Sequence, residues 1–272
     1  MLRRRLAAQK VPVVLYHDVQ RVPREGTKRW TTSPDQFREH IDALAASGRT
    51  SLTLSELAER LRRERPLERD AVVVTFDDGY ASTYEAVLQL VRRGMSASVY
   101  VTTGTIDTEG MLSAAQIRAL ARLPGVEIGA HTISHPHLDE LAGEALEREI
   151  TASKHTLETL LDAPVTSFAY PHGSHDRRSR AAVIRAGFRS AATIKNALSH
   201  LEDDPFAIAR WTVTARTSRE QLVRVLAGEG IPTAWRRERL RTLTWRVARR
   251  ARRRLQGSLG ASMRSATLGE RG

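Results

Sequence analysis

The chain contains no cysteine. That excludes a disulfide framework, a thiol nucleophile, a cysteine zinc site and an iron–sulfur cluster. Any metal must be held by His, Asp or Glu. Aromatic residues make up only 5%, few for a long stacking platform. Long apolar runs are missing too. The longest near the start, Val11 to Tyr16, falls far short of the roughly 20 residues that span a bilayer. Met1-Leu2-Arg3-Arg4-Arg5 looks like the basic start of a signal peptide, but His17 and Asp18 interrupt the apolar stretch that should follow. A cytoplasmic location is therefore expected. The remainder is ordinary: 41% hydrophobic and 27% charged residues in 272. This excludes wholesale disorder and allows one large domain or two small ones with a sizeable core.

The positive charge is uneven. Arg236 to Arg254 holds ten arginines and one acid, Glu238, which is net +9 of the chain's +12. A basic balance over a whole protein points to nucleic acid. One concentrated in a tail says only that the tail has an anionic partner or a solvated face. Gly228, Gly230 and Pro232 mark a boundary before it, giving a folded domain over 1–231 and a tail over 232–272.

Within the domain, apolar runs of strand length alternate with helical patterns. Strands are predicted at 11–16, 71–76, 96–102, 126–130, 165–169, 190–194 and 207–213. Helices are predicted at 34–46, 55–63, 80–93, 113–122, 138–161, 181–186 and 218–227. Ser33, Pro34 and Gly48 supply the cap, first position and stop of the first helix. Repeated strand–helix alternation predicts a parallel α/β architecture, and the number of units fits a barrel better than a short open sheet.

In such folds the chemistry gathers at the carboxyl ends of strands. Four predicted strands end in reactive groups: His17; Asp77 and Asp78; His131 with His135 four residues on; and Tyr170-Pro171-His172. The two adjacent carboxylates point in different directions, so one can bind a metal while the other accepts a proton. Alone, this pair reads equally as a helix cap. His131 and His135 have the i, i+4 spacing that aims two imidazoles at one point from a helical turn. Alone, they read more readily as two surface histidines, and His137 points elsewhere. Together, Asp78, His131 and His135 form a two-His, one-carboxylate set that leaves positions open for water and substrate. With Asp77 free to take a proton and His17 to give one from the other side, the constellation suits hydrolysis of an acyl group.

At this point the residues resemble a known family. Thr75-Phe76-Asp77-Asp78-Gly79 matches the first motif of the NodB-type polysaccharide deacetylases, a carbohydrate esterase family. His131-Thr132-Ile133-Ser134-His135 matches their second motif, and Phe168-Ala169-Tyr170-Pro171-His172-Gly173 resembles the third. Gly187-Phe188 and the strand from Pro205 to Val213 sit where the family has similar segments, so the likeness covers residues 11–226. The resemblance implies a distorted (β/α)7-type barrel and metal-dependent removal of an acetyl group from an N-acetylated sugar. It implies Asp77 as catalytic base and Asp78, His131 and His135 as ligands. The backbone N–H of Tyr170 would be an oxyanion donor. The metal implied is a divalent ion, Zn2+ first, with Co2+, Ni2+ or Mn2+ as alternatives.

Three positions depart from the pattern. Many members carry Arg where this chain has Ala169, and Arg210 on the later strand is the candidate replacement, with a structural or solvated Arg as the alternative. Many members end in Leu-x-His, but no His follows His200. Leu198-Ser199-His200 fits the spelling yet precedes the Arg210 strand. Val14-Leu15-Tyr16-His17-Asp18 instead resembles the N-terminal motif of the poly-N-acetylglucosamine deacetylase branch, whose permuted barrel takes its acid from the first strand, so His17 is preferred. Finally, His172 replaces an aromatic residue. Pro171, His172 and Trp211 are candidate sugar contacts, with no proton role for His172.

The tail from Ala234 to Leu255 reads as a basic amphipathic helix, with Leu240, Leu243, Val247, Ala251 and Leu255 on one face. It suits a membrane surface, making the protein peripheral at the inner membrane surface and a lipid-linked sugar a plausible substrate. Packing on the barrel is the alternative, nucleic acid is disfavoured, and 257–272 reads as disordered. The leading functional expectation is an N-deacetylase of an amino sugar in a polysaccharide or lipid-linked glycan. An O-acetyl esterase or deformylase on a lipid-linked sugar and a non-catalytic glycan-binding barrel are the alternatives.

Overall fold

The computed structural model describes residues 9–63, 67 and 70–235. The expected amphipathic helix over 234–255 and the remaining tail lie, but for Ala234 and Trp235, outside them. Along the chain run β1 (Lys10–Val11), β2 (Val13–Tyr16), β3 (Asp18–Val19), β4 (Thr31–Thr32) and α1 (Pro34–Ala46). There follow β5 (Thr50–Leu52), α2 (Leu54–Arg63), β6 (Ala71–Phe76), α3 (Ser82–Val91), β7 (Ala97–Val101) and α4 (Ala114–Ala121). The second half holds β8 (Val126–Ala130), α5 (Gly143–Leu161), β9 (Ser167–Ala169), α6 (Arg177–Arg185), β10 (Ser190–Ala192), β11 (Ser199–His200), β12 (Trp211–Thr212) and α7 (Arg219–Ala227). No helix among the described residues is long and apolar enough to cross a membrane.

A parallel sheet runs in the order β10-β9-β8-β7-β6-β2-β12. β5 pairs with the first half of β6, on the edge that β7 takes over further along. The sheet curls until one segment reaches both its edges. Ile208 exchanges backbone hydrogen bonds with β10, donating to Ala191 and accepting from Thr193, while Val213 donates to Leu15 of β2. This is the expected (β/α)7-type architecture. It also explains why the predicted strand at 207–213 is regular only over Trp211–Thr212, since the chain changes partner midway.

Strand alternation sorts the core into two layers. Val72, Val74 and Phe76 of β6 join Val14 and Tyr16 of β2 in the cluster that meets the apolar faces of α1, α3, α4, α5, α6 and α7. Ala71 and Val73 join Val13, Tyr100, Ala169, Ala192 and Ile208 in the inner cluster, together with Leu54, Leu57, Ala58 and Leu61 of α2. α2 therefore packs inside the concavity. The parity that places Val73 inside also places Thr75 and Asp77 there.

Caps and breakers set the boundaries. Ser33 accepts from Gln36 N–H and starts α1 at Pro34, as expected. Ser113 and Gln116 form a capping box on α4. Pro12 divides the predicted strand at 11–16: β1 pairs antiparallel with β11, and β2 pairs parallel with β6. The predicted helix over 138–161 is also divided. A short 3-10 turn at Leu138–Glu140 is followed by extended Ala142 and left-handed Gly143, φ +53°, so α5 starts at Gly143. The sequence pattern missed the start of α6, which lies at Arg177 behind an Asp176–Ser179 capping box in a polar stretch.

Gly129 of β8 governs the inner layer by its lack of a side chain. A Cβ there would stand 2.5 Å from the Tyr100 ring and 2.9 Å from the Ser167 carbonyl oxygen. Gly129→Ala is expected to lower the unfolding free energy by about 1–3 kcal/mol, the usual result of overfilling a packed core. A urea titration checks this, and an unchanged midpoint would contradict the packing described.

Candidate active site

Asp77 continues β6, its N–H donating to the Tyr16 carbonyl at 3.0 Å. Its side chain meets Arg210 in a two-pronged ion pair, Nη1 to Oδ1 at 2.6 Å and Nη2 to Oδ2 at 2.7 Å. Arg210 also donates to Thr75 Oγ1 at 3.3 Å and to the Thr193 carbonyl at 3.2 Å, and its guanidinium lies 5.6 Å from the centre of the Tyr100 ring. The arginine is fully buried. Its planar fork supplies the bidentate geometry that a lysine lacks. Burial alone would raise the Asp77 carboxyl. The charges of Arg210 and His131, with the Arg210 hydrogen bonds, outweigh it and hold Asp77 below the ordinary carboxylate range.

Asp78 turns away from this pair. It adopts a left-handed conformation, φ +74°, followed by Gly79 at +82°, which Asp tolerates better than most residues. Its Oδ1 stands 3.2 Å from His135 Nε2 and 3.5 Å from His131 Nε2. Burial works to raise the Asp78 carboxyl, but the facing imidazoles of His131 and His135 hold it well below its usual value. The same contacts act on His131. Burial lowers it, and Asp77 and Asp78 raise it above an ordinary histidine.

His131 ends β8 and is buried. Its Nδ1 faces the Ala169 carbonyl at 2.8 Å, and a carbonyl only accepts, so Nδ1 carries the proton and Nε2 is turned toward Asp78. The expected helical turn between His131 and His135 is not formed. The two rings converge through left-handed residues instead, Thr132 at φ +67° and His135 at φ +59°. Thr132 Oγ1 accepts the His135 N–H at 3.0 Å. Glu149 on α5 clamps the loop, accepting from Ile133 N–H at 2.9 Å, Ser134 N–H at 3.0 Å and Ser134 Oγ at 2.7 Å.

One ligating atom each from Asp78, His131 and His135 lies within 4.8 Å of the others. Asp78 Oδ1 is buried and lacks a well-formed hydrogen bond. Two imidazole nitrogens facing an under-satisfied carboxylate oxygen are the donor set that a divalent ion takes, so these residues fit a metal.

His17 follows β2 and is half-buried, facing the carboxylates. Burial lowers its basicity, Asp78 and Asp77 raise it, and the result lies below an ordinary histidine. The rival His200 lies at the other end of the sheet. It pairs with Lys10 on β1 and contacts the Ala234 carbonyl at 3.2 Å and Asp203 at 3.4 Å.

Two expected contacts are corrected. The Tyr170 N–H is engaged, donating to the Ala192 carbonyl at 3.0 Å as the sheet continues past β9, so it is not free for an oxyanion. The neighbouring N–H of His172 has no acceptor among the described residues. Trp211 is only 8% exposed and belongs to the core beneath the helices. Strand alternation turns it away from the inner face that Arg210 occupies. Pro171 is buried, whereas His172 stands at the rim with one edge open to solvent and its ring face covered by neighbouring imidazoles. Its ring packs 4.4 Å from that of His135 and 3.8 Å from that of His137. Burial first, and then those imidazoles, push it down to about 3, leaving it neutral.

Sequence reasoning missed Glu149 and Trp30. Glu149 looks like any other helix-surface acid, and only the folded loop gives it its role. Trp30, whose ring centre is 5.5 Å from that of His17, sits outside every motif and had only the rarity of aromatic residues to point to it.

Arg210→Met strips the buried Asp77 of its partner and is expected to cost about 3–5 kcal/mol of stability at pH 7. A carboxylate with a depressed folded pKa stabilises above the ordinary value near 4. That contribution is lost as pH falls through the folded value, so the gap between variant and wild type should narrow on acidification. Denaturant midpoints across pH check this, and equal midpoints at pH 7 would contradict it.

Comparison with known proteins agrees with this geometry. Residues 64–191 match the family model described as polysaccharide deacetylase. A Bacillus subtilis (strain 168) protein named as a polysaccharide deacetylase, YxkH, is 24% identical over 211 residues, covering 75% of this chain and 72% of its own. The poly-beta-1,6-N-acetyl-D-glucosamine N-deacetylase of Escherichia coli (strain K12) is 29% identical over 112 residues, 35% of this chain and 17% of that protein. Among solved structures, the Streptococcus pyogenes deacetylase PplD in complex with acetate superposes with a TM-score of 0.71 at 22% identity, over 80% of this chain and 98% of that one. The motifs, the fold and these likenesses agree: residues 64–191 carry a polysaccharide deacetylase domain of the NodB type.

Proposed function

We propose that this domain is a metal-dependent hydrolase that removes the N-acetyl group from an amino sugar of a polysaccharide or lipid-linked glycan. The observation that carries the reading is the separation of two adjacent carboxylates, Asp77 bound to Arg210 and Asp78 shared by His131 and His135. Asp78, His131 and His135 would hold the ion. When bound, a divalent ion of the zinc type supplies Lewis-acid polarisation of the acyl carbonyl.

The chain's own residues divide the proton work. Asp77, kept ionised and oriented by Arg210, takes the proton of the attacking water as the carbon–oxygen bond forms. His17 gives a proton to the leaving nitrogen as the carbon–nitrogen bond breaks, releasing acetate and a free amine. The oxyanion donor is reassigned from Tyr170 to the unengaged N–H of His172, whose ring lies beside the ligand His135. The names of the relatives support an N-acetylated amino sugar as substrate, and the acetate in the complex of the solved relative supports acetate as product.

Acetate release from N-acetylglucosamine oligomers tests the reading. It should require added zinc, stop with a chelator, and fall by about 10²–10⁴-fold in Asp77→Asn and His17→Ala, the range for losing a positioned acid or base. Release that persists with chelator, or in Asp77→Asn, would overturn it. Glu149→Gln should weaken zinc binding about 10- to 100-fold in calorimetry, as loss of an outer support does. Unchanged affinity would remove Glu149 from the account.

A further inference from the structure

His131 and His17 are both drawn on by the reaction, yet they are held by different means. His131 is fixed by a hydrogen bond from Nδ1 to a backbone carbonyl. His17 has no such tie: its Nδ1 is buried and has no hydrogen-bond partner among the described residues. An imidazole that must present one nitrogen to a leaving group needs some other constraint on its rotation about χ2. The neighbour available is Trp30, with ring centres 5.5 Å apart and planes inclined by 32°.

Trp30 is held in place from several directions. Its successor Thr31 is the register partner of Asp18, the residue after His17, in the short parallel ladder of β3 and β4. The Trp30 N–H donates to the Thr27 carbonyl at 2.7 Å, and the Arg29 carbonyl accepts from Ala215 N–H at 2.9 Å. The ladder rests on Asp18, whose buried carboxylate accepts from Ser82 Oγ at 2.6 Å and Gln20 Nε2 at 2.7 Å, with Arg24 Nε at 3.5 Å. That same Arg24 lies over the Tyr80 ring, 5.4 Å from its centre, and Tyr80 follows the Asp78-Gly79 turn. Arg29 lies 4.7 Å from the centre of the Trp30 ring itself. The indole is thus half-buried and backed by structure.

We propose that Trp30 is a positioning residue for His17, fixing the plane of its imidazole by ring contact where the neighbouring ligand histidine uses a hydrogen bond. This rests on the reading of His17 as proton donor. A flat apolar partner restricts rotation while leaving both ring nitrogens chemically free. A smaller aliphatic side chain leaves the ring free to turn, and a small misplacement of a reacting group is enough to cost orders of magnitude in rate.

The test uses the full chain, zinc-loaded, with Trp30→Leu and Trp30→Phe variants and N-acetylglucosamine oligomers as substrate. Trp30→Leu should lower kcat by roughly 10- to 100-fold with little change in KM, and Trp30→Phe should recover most of the loss. A rise in KM with kcat unchanged would overturn the proposal, because Trp30 would then be a wall of the sugar cleft. A second readout does not depend on turnover. The His17 ring proton resonance, identified by its disappearance in His17→Ala, should move in Trp30→Leu while the His131 resonances stay in place. A stationary His17 resonance would overturn the proposal even if the oligomers are substrates. A wild type inactive on the oligomers would instead count against the functional reading, and the resonance would still decide the role of Trp30.

Discussion

The buried ion pair between Arg210 and Asp77 is the constraint on which the rest of the structure depends. A charge without a partner in this interior would cost several kcal/mol, so each group requires the other. Asp77 comes from the end of β6. Arg210 comes from the segment that hydrogen-bonds both edges of the curled sheet, reaching β10 at Ile208 and β2 at Val213. The pair therefore fastens the closing segment to the middle of the sheet and orients a carboxylate at the rim. Tyr100, which fits because Gly129 has no side chain, supports the guanidinium.

Once Asp77 is committed to Arg210, its neighbour must go elsewhere. The left-handed turn at Asp78 and Gly79 turns the second carboxylate toward the histidine pair. The histidines are brought round by two further left-handed residues, and Glu149 holds that loop against α5. The left-handed conformations of Asp78, Thr132 and His135, three non-glycine residues, mark where the fold departs from its lowest local energy for the sake of geometry, as functional sites commonly do. Each is secured by a neighbouring element.

Much of this was legible in the sequence, for definite reasons. β6 and β8 were read to the residue because strand-like stretches end at Asp77 and at His131, and α1 was read through Ser33, Pro34 and Gly48. Arg210 could be nominated because Ala169 left a vacancy that some other cation had to fill. The resemblance to NodB-type deacetylases made the assignment of the two carboxylates specific. What escaped depended on backbone conformation or on distant partners. The i, i+4 spacing of His131 and His135 suggested a helical turn, but sequence spacing does not distinguish that from a left-handed loop. Tyr170 and Trp211 were misjudged because one N–H was already committed to the sheet and one ring faced the helices. Both facts follow from strand pairing and parity, which become known only once the register is set.

The most direct test of the account is where a metal ion binds. Crystals of the full chain soaked in zinc, with anomalous scattering recorded at the zinc edge, would locate it. The account predicts one ion within about 2.0–2.2 Å of Asp78, His131 Nε2 and His135 Nε2, with Asp77 still paired to Arg210 and outside the coordination sphere. An ion held by Asp77, or no ion among these three ligands at saturating zinc, would contradict it.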